Sequence, residues 1–312
     1  MNIRLHCDHR LHSRVSNYFN FFYKGETRRL IKPILYELSI AADPPSVPLE
    51  AVRAVKAENV SCYKHGRIIY YSSEDGSVVQ LDPVSGTVRG YLREKVLDNA
   101  VTLYSLAGAP FSDILKYNSL YSLHSAALCR NGAGYLFSGD SGSGKTTSTL
   151  GLVVNGFKYA SDDVVLLEEV KGEVHAHSLT RTFNVDRKSG ERFPGILKKE
   201  DLPVKPGAKV MVRIEEFIPD AFVPGIRPDV IIFLKIISSE KSRIHPLRQL
   251  EVFRRLLKQS VPAADNEVSQ RQLKILGQLA RQVRGFELQG GRDIYEDPAR
   301  LVNLMSGIEG LM

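Results

Sequence analysis

Residues 136–150 read LFSGDSGSGKTTSTL, an apolar run that stops at Ser138 and gives way to a stretch dense in Gly, Ser and Thr. Gly139, Gly144, Lys145 and Thr146 fill every fixed position of GxxxxGK[ST], with a strand-like run before and a helical pattern after. Such small residues let consecutive main-chain N–H groups point at a phosphate, and a helix opening at Lys145 turns its positive dipole end the same way. Lys145 is then expected to reach the β- and γ-phosphates of a nucleoside triphosphate, with the Thr146 hydroxyl on the Mg²⁺ that bridges them. Gly139, Asp140, Ser141, Gly142 and Ser143 form the bend, and Gly144, Lys145, Thr146 and Thr147 open the helix. Asp140, Ser141 and Ser143 are expected to contribute backbone only. The competing reading is a flexible surface turn.

Downstream comes a second chemical feature, the pair Asp162 and Asp163 in YASDDVVLLEEV. Here the apolar run follows the aspartates, whereas ordinary ATPases and GTPases hold their metal-binding Asp at the end of such a run. Neighbours on an extended chain point to opposite sides, so one carboxylate can face Mg²⁺ and the other an incoming hydroxyl. Phosphoryl transfer needs that division, because it depends on in-line positioning, charge neutralisation and a base for the hydroxyl proton. A Ser-Asp-Asp turn cap is the structural alternative. His124 lies on the strand preceding the loop and could orient a carboxylate, although a lone histidine in an apolar strand is more commonly a core residue.

Several elements must hold these groups. LHSAALC (123–129) and YLF (135–137) read as two strands joined by RNGAG, whose Asn-Gly marks a tight hairpin. KTTSTLGLVVNGF starts helical and stops at Gly156. YASDDVVLLEEV reads as one buried strand entered through the aspartates, and KGEVHAHSL as its partner. DVIIFLKII (229–237) is a buried strand, and PLRQLEVFRRLLKQS and QRQLKILGQLARQV are amphipathic helices. In the first half, RIIYY, SVVQL and TVRGYL form an antiparallel meander. The Pro-rich AADPPSVP (41–48) sets the first ~40 residues apart as a separate element or subdomain edge. From Leu92 to Leu120 the pattern is helical, with Leu97, Val101, Tyr104 and Leu115 as its buried face. The domains are therefore drawn as 1–115, β-rich, and 116–312, catalytic.

Composition excludes several classes. Apolar residues are 43% and charged residues 25% of the 312, ordinary globular values that exclude wholesale disorder. No apolar run reaches the roughly 18 residues of a membrane helix, and MNIRLHCDHRLHSR lacks a signal-peptide centre, so a cytoplasmic protein without membrane association is expected. The net charge of +7 suits an anionic ligand but forms no basic stripe with interleaved aromatics, so nucleic acid is not an expected partner. Cys7, Cys62 and Cys129 fall in no CxxC pair and read as free thiols. His6, Cys7, His9 and His12 read as a solvated strand, and His175 and His177 as one face of an exposed hairpin. Arg181, Arg187 and Arg192 could neutralise transition-state charge, and nothing in the sequence selects among them.

Together, LHSAAL, GDSGSGKTT and GFKYASDDVVLL resemble the catalytic domain of HPr kinase/phosphorylase and its HPr kinase-related kin, in order and spacing over about residues 119–170. That resemblance implies an α/β fold like phosphoenolpyruvate carboxykinase, a curved mixed sheet with a P-loop and flanking helices, beside the smaller N-terminal β-rich domain. It implies ATP and Mg²⁺ as cofactors, Asp162 as catalytic base, Asp163 as metal and phosphate ligand with Thr146, and His124 as the assisting histidine. The implied acceptor is a serine on a peptide or small protein, with small molecules among the family's other acceptors, and the family's rings make a homo-oligomer the analogous expectation. Thr147 stands where HPr kinases usually carry an acidic residue, and ERFPGILKKEDLPVKPG (191–207) differs from their glycine-rich second signature. The expected activity is a kinase acting on a hydroxyl. The alternatives are a nucleotide-binding regulatory protein and an ATPase without an acceptor.

Overall fold

Turn chemistry and β-branched runs build most of this chain into strands. The computed structural model describes residues 3–20, 33–56, 59–196, 201–205 and 207–310. Among these, residues up to Tyr121 group with 262–272 in one compact unit, and 122–261 with those from Leu273 onward in a second.

The first unit contains β1 (Ile3–Cys7), α1 (His9–Asn20), β2 (Ile34–Ile40), β3 (Val52–Lys56), β4 (Ser61–His65), β5 (Ile68–Ser72), β6 (Val78–Asp82), β7 (Thr87–Leu92) and α2 (Ala100–Tyr117). Its sheet has seven strands in the order β1-β2-β7-β6-β5-β4-β3. The β5-β6-β7 meander is antiparallel as expected, while β1–β2 and β2–β7 pair in parallel and make the sheet mixed. The first 40 residues are therefore not set apart. The Pro-rich break ends β2 at Ile40, but β2 hydrogen-bonds along β7 and carries β1 on its other side. The histidine-rich start is a strand only to Cys7, since His9 and His12 lie on α1.

Helix α2 buries Leu115 as expected, but its first turns bury a stripe shifted from the expected one. Leu103, Leu106, Phe111 and Ile114 are buried, whereas Val101 is 61% and Tyr104 39% exposed. The expected set began at Leu97, which lies in a short 3-10 turn before the helix, so the 3.6-residue phase was counted from the wrong start.

The second unit contains β8 (Tyr121–Arg130), β9 (Ala133–Ser138), α3 (Lys145–Val154), β10 (Lys158–Ser161), β11 (Val164–Val170), β12 (Glu173–Ser178), β13 (Thr182–Asp186), α4 (Arg187–Arg192) and β14 (Lys209–Arg213). It continues with β15 (Gly225–Ile226), β16 (Val230–Ile236), β17 (Arg243–Leu247), α5 (Gln249–Lys258), α6 (Asn266–Gln282, its first turns grouped with the first unit), β18 (Arg284–Gly290), α7 (Arg292–Glu296) and α8 (Pro298–Glu309). The main sheet runs β15-β12-β11-β8-β9-β16-β18-β17, with β10 also on β8, and β13 and β14 form a separate two-stranded antiparallel sheet. The result is a mixed α/β architecture with flanking helices.

Within the sheet β9 is the keel. Tyr135, Leu136 and Phe137 are fully buried, and β9 runs antiparallel to β8 and parallel to β16. Asn131 and Gly132 both take positive φ in the tight β8–β9 turn, as the Asn-Gly pair requires. Leu150 and Val153 of α3 join Phe137, Ile232 and Leu288 in one core, which anchors the helix behind the loop. Each such side chain contributes about 1.5–3 kcal/mol by burial.

Candidate functional site

The glycine-rich loop leaves the buried end of β9 and enters α3 at Lys145, so it sits at the carboxyl edge of the parallel β9–β16–β18 strands. That edge is where open α/β sheets hold ligands. Two glycines there are required for stated reasons. A Cβ on Gly139 would stand 2.7 Å from Ser143 Oγ and 2.8 Å from the Leu234 carbonyl oxygen. Gly144 is the N-cap at φ 87°, and a Cβ there would meet the Tyr295 hydroxyl at 2.5 Å. No side chain caps the helix, which leaves its first-turn amides to an anion. The hydroxyls of Ser138 and Ser143 are buried without a hydrogen-bond partner beside this bend, as groups awaiting a polar ligand would be.

Lys145 is buried and donates from Nζ to the Gly139 carbonyl at 2.6 Å. Burial lowers its pKa, against the pull of Asp163 and Asp162. Thr147 shares a 2.7 Å hydrogen bond with Ser189, the residue of α4 whose N–H is capped by Asp186 at 2.8 Å.

The expected single strand through the aspartates is two strands. β10 pairs with the Ala127–Cys129 part of β8, β11 begins at Val164, and Asp162 and Asp163 form the joint between them. At this joint the two carboxylates meet opposite surroundings. Asp162 is 1% exposed and accepts from Thr146 Oγ1 at 3.0 Å, Thr149 Oγ1 at 3.1 Å and the Asn184 N–H at 3.2 Å. Burial pushes its carboxyl up to about 6, with the Asn184 amide opposing and the Asp163 charge assisting. Asp163 is 46% exposed, with Oδ1 3.0 Å from His124 Nε2. The hydrogen bond from His124 holds its pKa below the ordinary range, and Lys145 and Lys209 add to that.

His124 is thus a half-exposed partner of a carboxylate rather than a core histidine. Its Nδ1 lies 3.1 Å from Gln259 Oε1, and Gln259 Nε2 reaches Asp140 Oδ1 at 3.3 Å. Asp140 therefore contributes a side chain as well as backbone. The loop, Lys145, Thr146, Asp162, Asp163 and His124 accordingly fall into one linked site.

The remaining candidates are engaged with other partners. Arg187 pairs with Glu191, Arg181 lies over the Phe222 ring at 4.3 Å, and Arg192 lies over Tyr295 at 5.5 Å. His175 and His177 stack at 6.4 Å, with His177 on Glu168 at 3.0 Å. The 191–207 segment falls partly outside the described residues. Sequence reasoning missed Thr149, Asn184 and Gln259. Thr149 was within reach, because i and i+3 share a helix face and Thr146 was already singled out. Asn184 acts through its main chain and Gln259 comes from a distant helix end, so neither carries a local signal.

Among the described residues no group of three or more His, Cys, Asp or Glu is placed to hold a metal ion. Mg²⁺ is commonly held by one or two protein groups plus substrate phosphates and water, and Thr146 beside Asp162 fits that sparse pattern. No helix among the described residues is long and apolar enough to cross a membrane.

No protein-family model matches the chain, and no curated protein is similar to it in sequence. Among solved structures it is similar to the Hpr(Ser) kinase/phosphatase from Coxiella burnetii, at 12% identity and a TM-score of 0.32, over 60% of this chain and 98% of that one. A likeness so distant assigns no activity.

Proposed function

We propose that this protein is an ATP- and Mg²⁺-dependent kinase that transfers the γ-phosphate to a hydroxyl, with serine of a peptide or small protein as the acceptor. One observation carries the reading. The hydroxyl that follows the loop lysine is hydrogen-bonded to one buried carboxylate, while the adjacent carboxylate turns outward to a histidine. A loop that merely bound nucleotide would need no second, outward acid.

Main-chain amides of 139–144 and the α3 N-terminus would hold the phosphates, and Lys145 would leave the Gly139 carbonyl for them. Mg²⁺ bound with the nucleotide supplies charge neutralisation at the phosphates. Thr146 and Asp162 are the groups suited to hold it, since they already share a hydrogen bond. Asp163, exposed and low in pKa, is the carboxylate an acceptor hydroxyl can reach, with His124 fixing its direction. This division reverses the one implied by the family resemblance, because the buried Asp162 is turned inward to Thr146, Thr149 and the Asn184 N–H.

The test is incubation with γ-labelled ATP and a peptide library, using three variants. Lys145→Ala should weaken ATP binding about tenfold or more. Asp163→Asn should keep ATP binding and lose transfer by about 10²-fold or more. Asp162→Asn should lose the Mg²⁺ dependence of binding. ATP bound tightly with no acceptor labelled would overturn the kinase reading, and transfer that survives Asp163→Asn but not Asp162→Asn would restore the opposite division.

A further inference from the structure

Gln259 closes α5 and touches two parts of the site at once. Its main-chain carbonyl accepts from the His124 N–H at 2.8 Å, its Oε1 lies 3.1 Å from His124 Nδ1, and its Nε2 lies 3.3 Å from Asp140 Oδ1. The chemistry of the partners fixes which end of the amide faces which. An ionised carboxylate only accepts, so the NH₂ faces Asp140 and the amide oxygen faces the ring. That oxygen also only accepts, so Nδ1 of His124 carries a hydrogen. By the same rule the Asp163 carboxylate only accepts, so Nε2, 3.0 Å from its Oδ1, presents a hydrogen as well.

A continuous hydrogen-bonded run, Asp140 to Gln259 to His124 to Asp163, therefore joins the glycine-rich loop to the outward carboxylate. Its middle is firmly held. The Gln259 N–H bonds the Leu256 carbonyl at 3.1 Å, and Val252 and Leu256 bury α5 beneath it. We infer that Gln259 is a positioning residue for the proposed phosphotransfer: tethered by Asp140 at the start of the loop, it fixes the plane and hydrogen placement of His124 and so the direction of Asp163. The inference rests on the kinase reading and deepens it, by tying the proton-handling side of the site to the phosphate-binding side. Glutamine suits the task because one side chain must accept at one end and donate at the other. Leucine does neither, and glutamate would set a like charge against Asp140.

The test uses the full chain and two readouts. The ring ¹⁵N signals of His124, assigned among the eight histidines by their loss in His124→Gln, report where the hydrogens sit. Wild type should show hydrogens on both ring nitrogens, and Gln259→Leu should lose the one on Nδ1 and leave the Nε2–H form. In phosphotransfer assays Gln259→Leu should lower kcat about tenfold or more with KM for ATP within about twofold. Asp140→Ala should cost less, and the double variant should be no worse than Gln259→Leu, because both act along one run. Gln259→Glu keeps an acceptor for Nδ1 and should keep the ring signature even if the leucine variant is poorly folded. Unchanged His124 signals in a folded Gln259→Leu, loss of the ring signature in a folded Gln259→Glu, or losses that multiply in the double variant would overturn the inference. Failure of wild type to bind or turn over ATP would overturn the kinase reading instead, and the ring spectra would then decide the role of Gln259 alone.

Discussion

Two neighbouring aspartates show how far a position can depart from its residue type. Asp162 has a folded pKa of about 6 because burial disfavours its charge. A carboxyl raised in the fold stabilises below its unfolded value, near 4, and that stabilisation is lost as pH rises through about 6. The difference of about two units corresponds to roughly 3 kcal/mol. Without nucleotide, wild type should therefore lose melting temperature between pH 5 and pH 8 relative to Asp162→Asn, whose side chain carries no charge. Thermal melts of the two proteins across that interval check this. Asp163 has the opposite sign. Its lowered pKa contributes stability above the ordinary carboxylate value, lost in acid as pH falls through the folded value. The loop motif, the aspartate pair and His124 could be picked out from the sequence because each carries its chemistry locally. Which aspartate faces inward was not legible, since it depends on Thr149 and on the Asn184 amide of the separate β13–β14 sheet.

Among elements, the β9–loop–α3 unit was the most readable, because an apolar strand, a run of small residues and a helix follow without interruption. The β10–β11 joint was misread because apolar strand-formers flank the aspartates on both sides, although Asp itself disfavours strands, and the β10 pairing with β8 ends just before them at Ser161. The same unit offers a sharp test at the helix start. Gly144→Ala puts a Cβ at positive φ and against the Tyr295 hydroxyl, so it should cost about 1–3 kcal/mol and weaken ATP binding. Tyr295→Phe in that background removes the close oxygen but not the backbone strain, and should restore only part of the loss. Urea unfolding and ATP titration of both variants give the two numbers.

At the scale of the whole molecule, the two units use polar groups differently: the second gathers them at its site, while the first buries a network with no outlet. Asp113 accepts from Tyr71 at 2.6 Å and from Lys116 at 2.8 Å, and all three are nearly inaccessible. Lys116→Met leaves a buried carboxylate one partner short and should destabilise by about 3–5 kcal/mol, whereas adding Asp113→Asn should recover much of it. Denaturant unfolding of the single and double variants measures the difference. Lys116 also bonds the Pro262 carbonyl at 3.4 Å, and Lys64 pairs with Asp265, so residues 262–272 are fastened to the first unit by charged groups. No sequence pattern announced that return, because its partners lie far upstream in the chain. It imposes an order on biosynthesis: a nascent chain cannot finish its amino-terminal half until the ribosome has released most of the carboxy-terminal half, and a fragment cut after Tyr121 would emerge missing a wall.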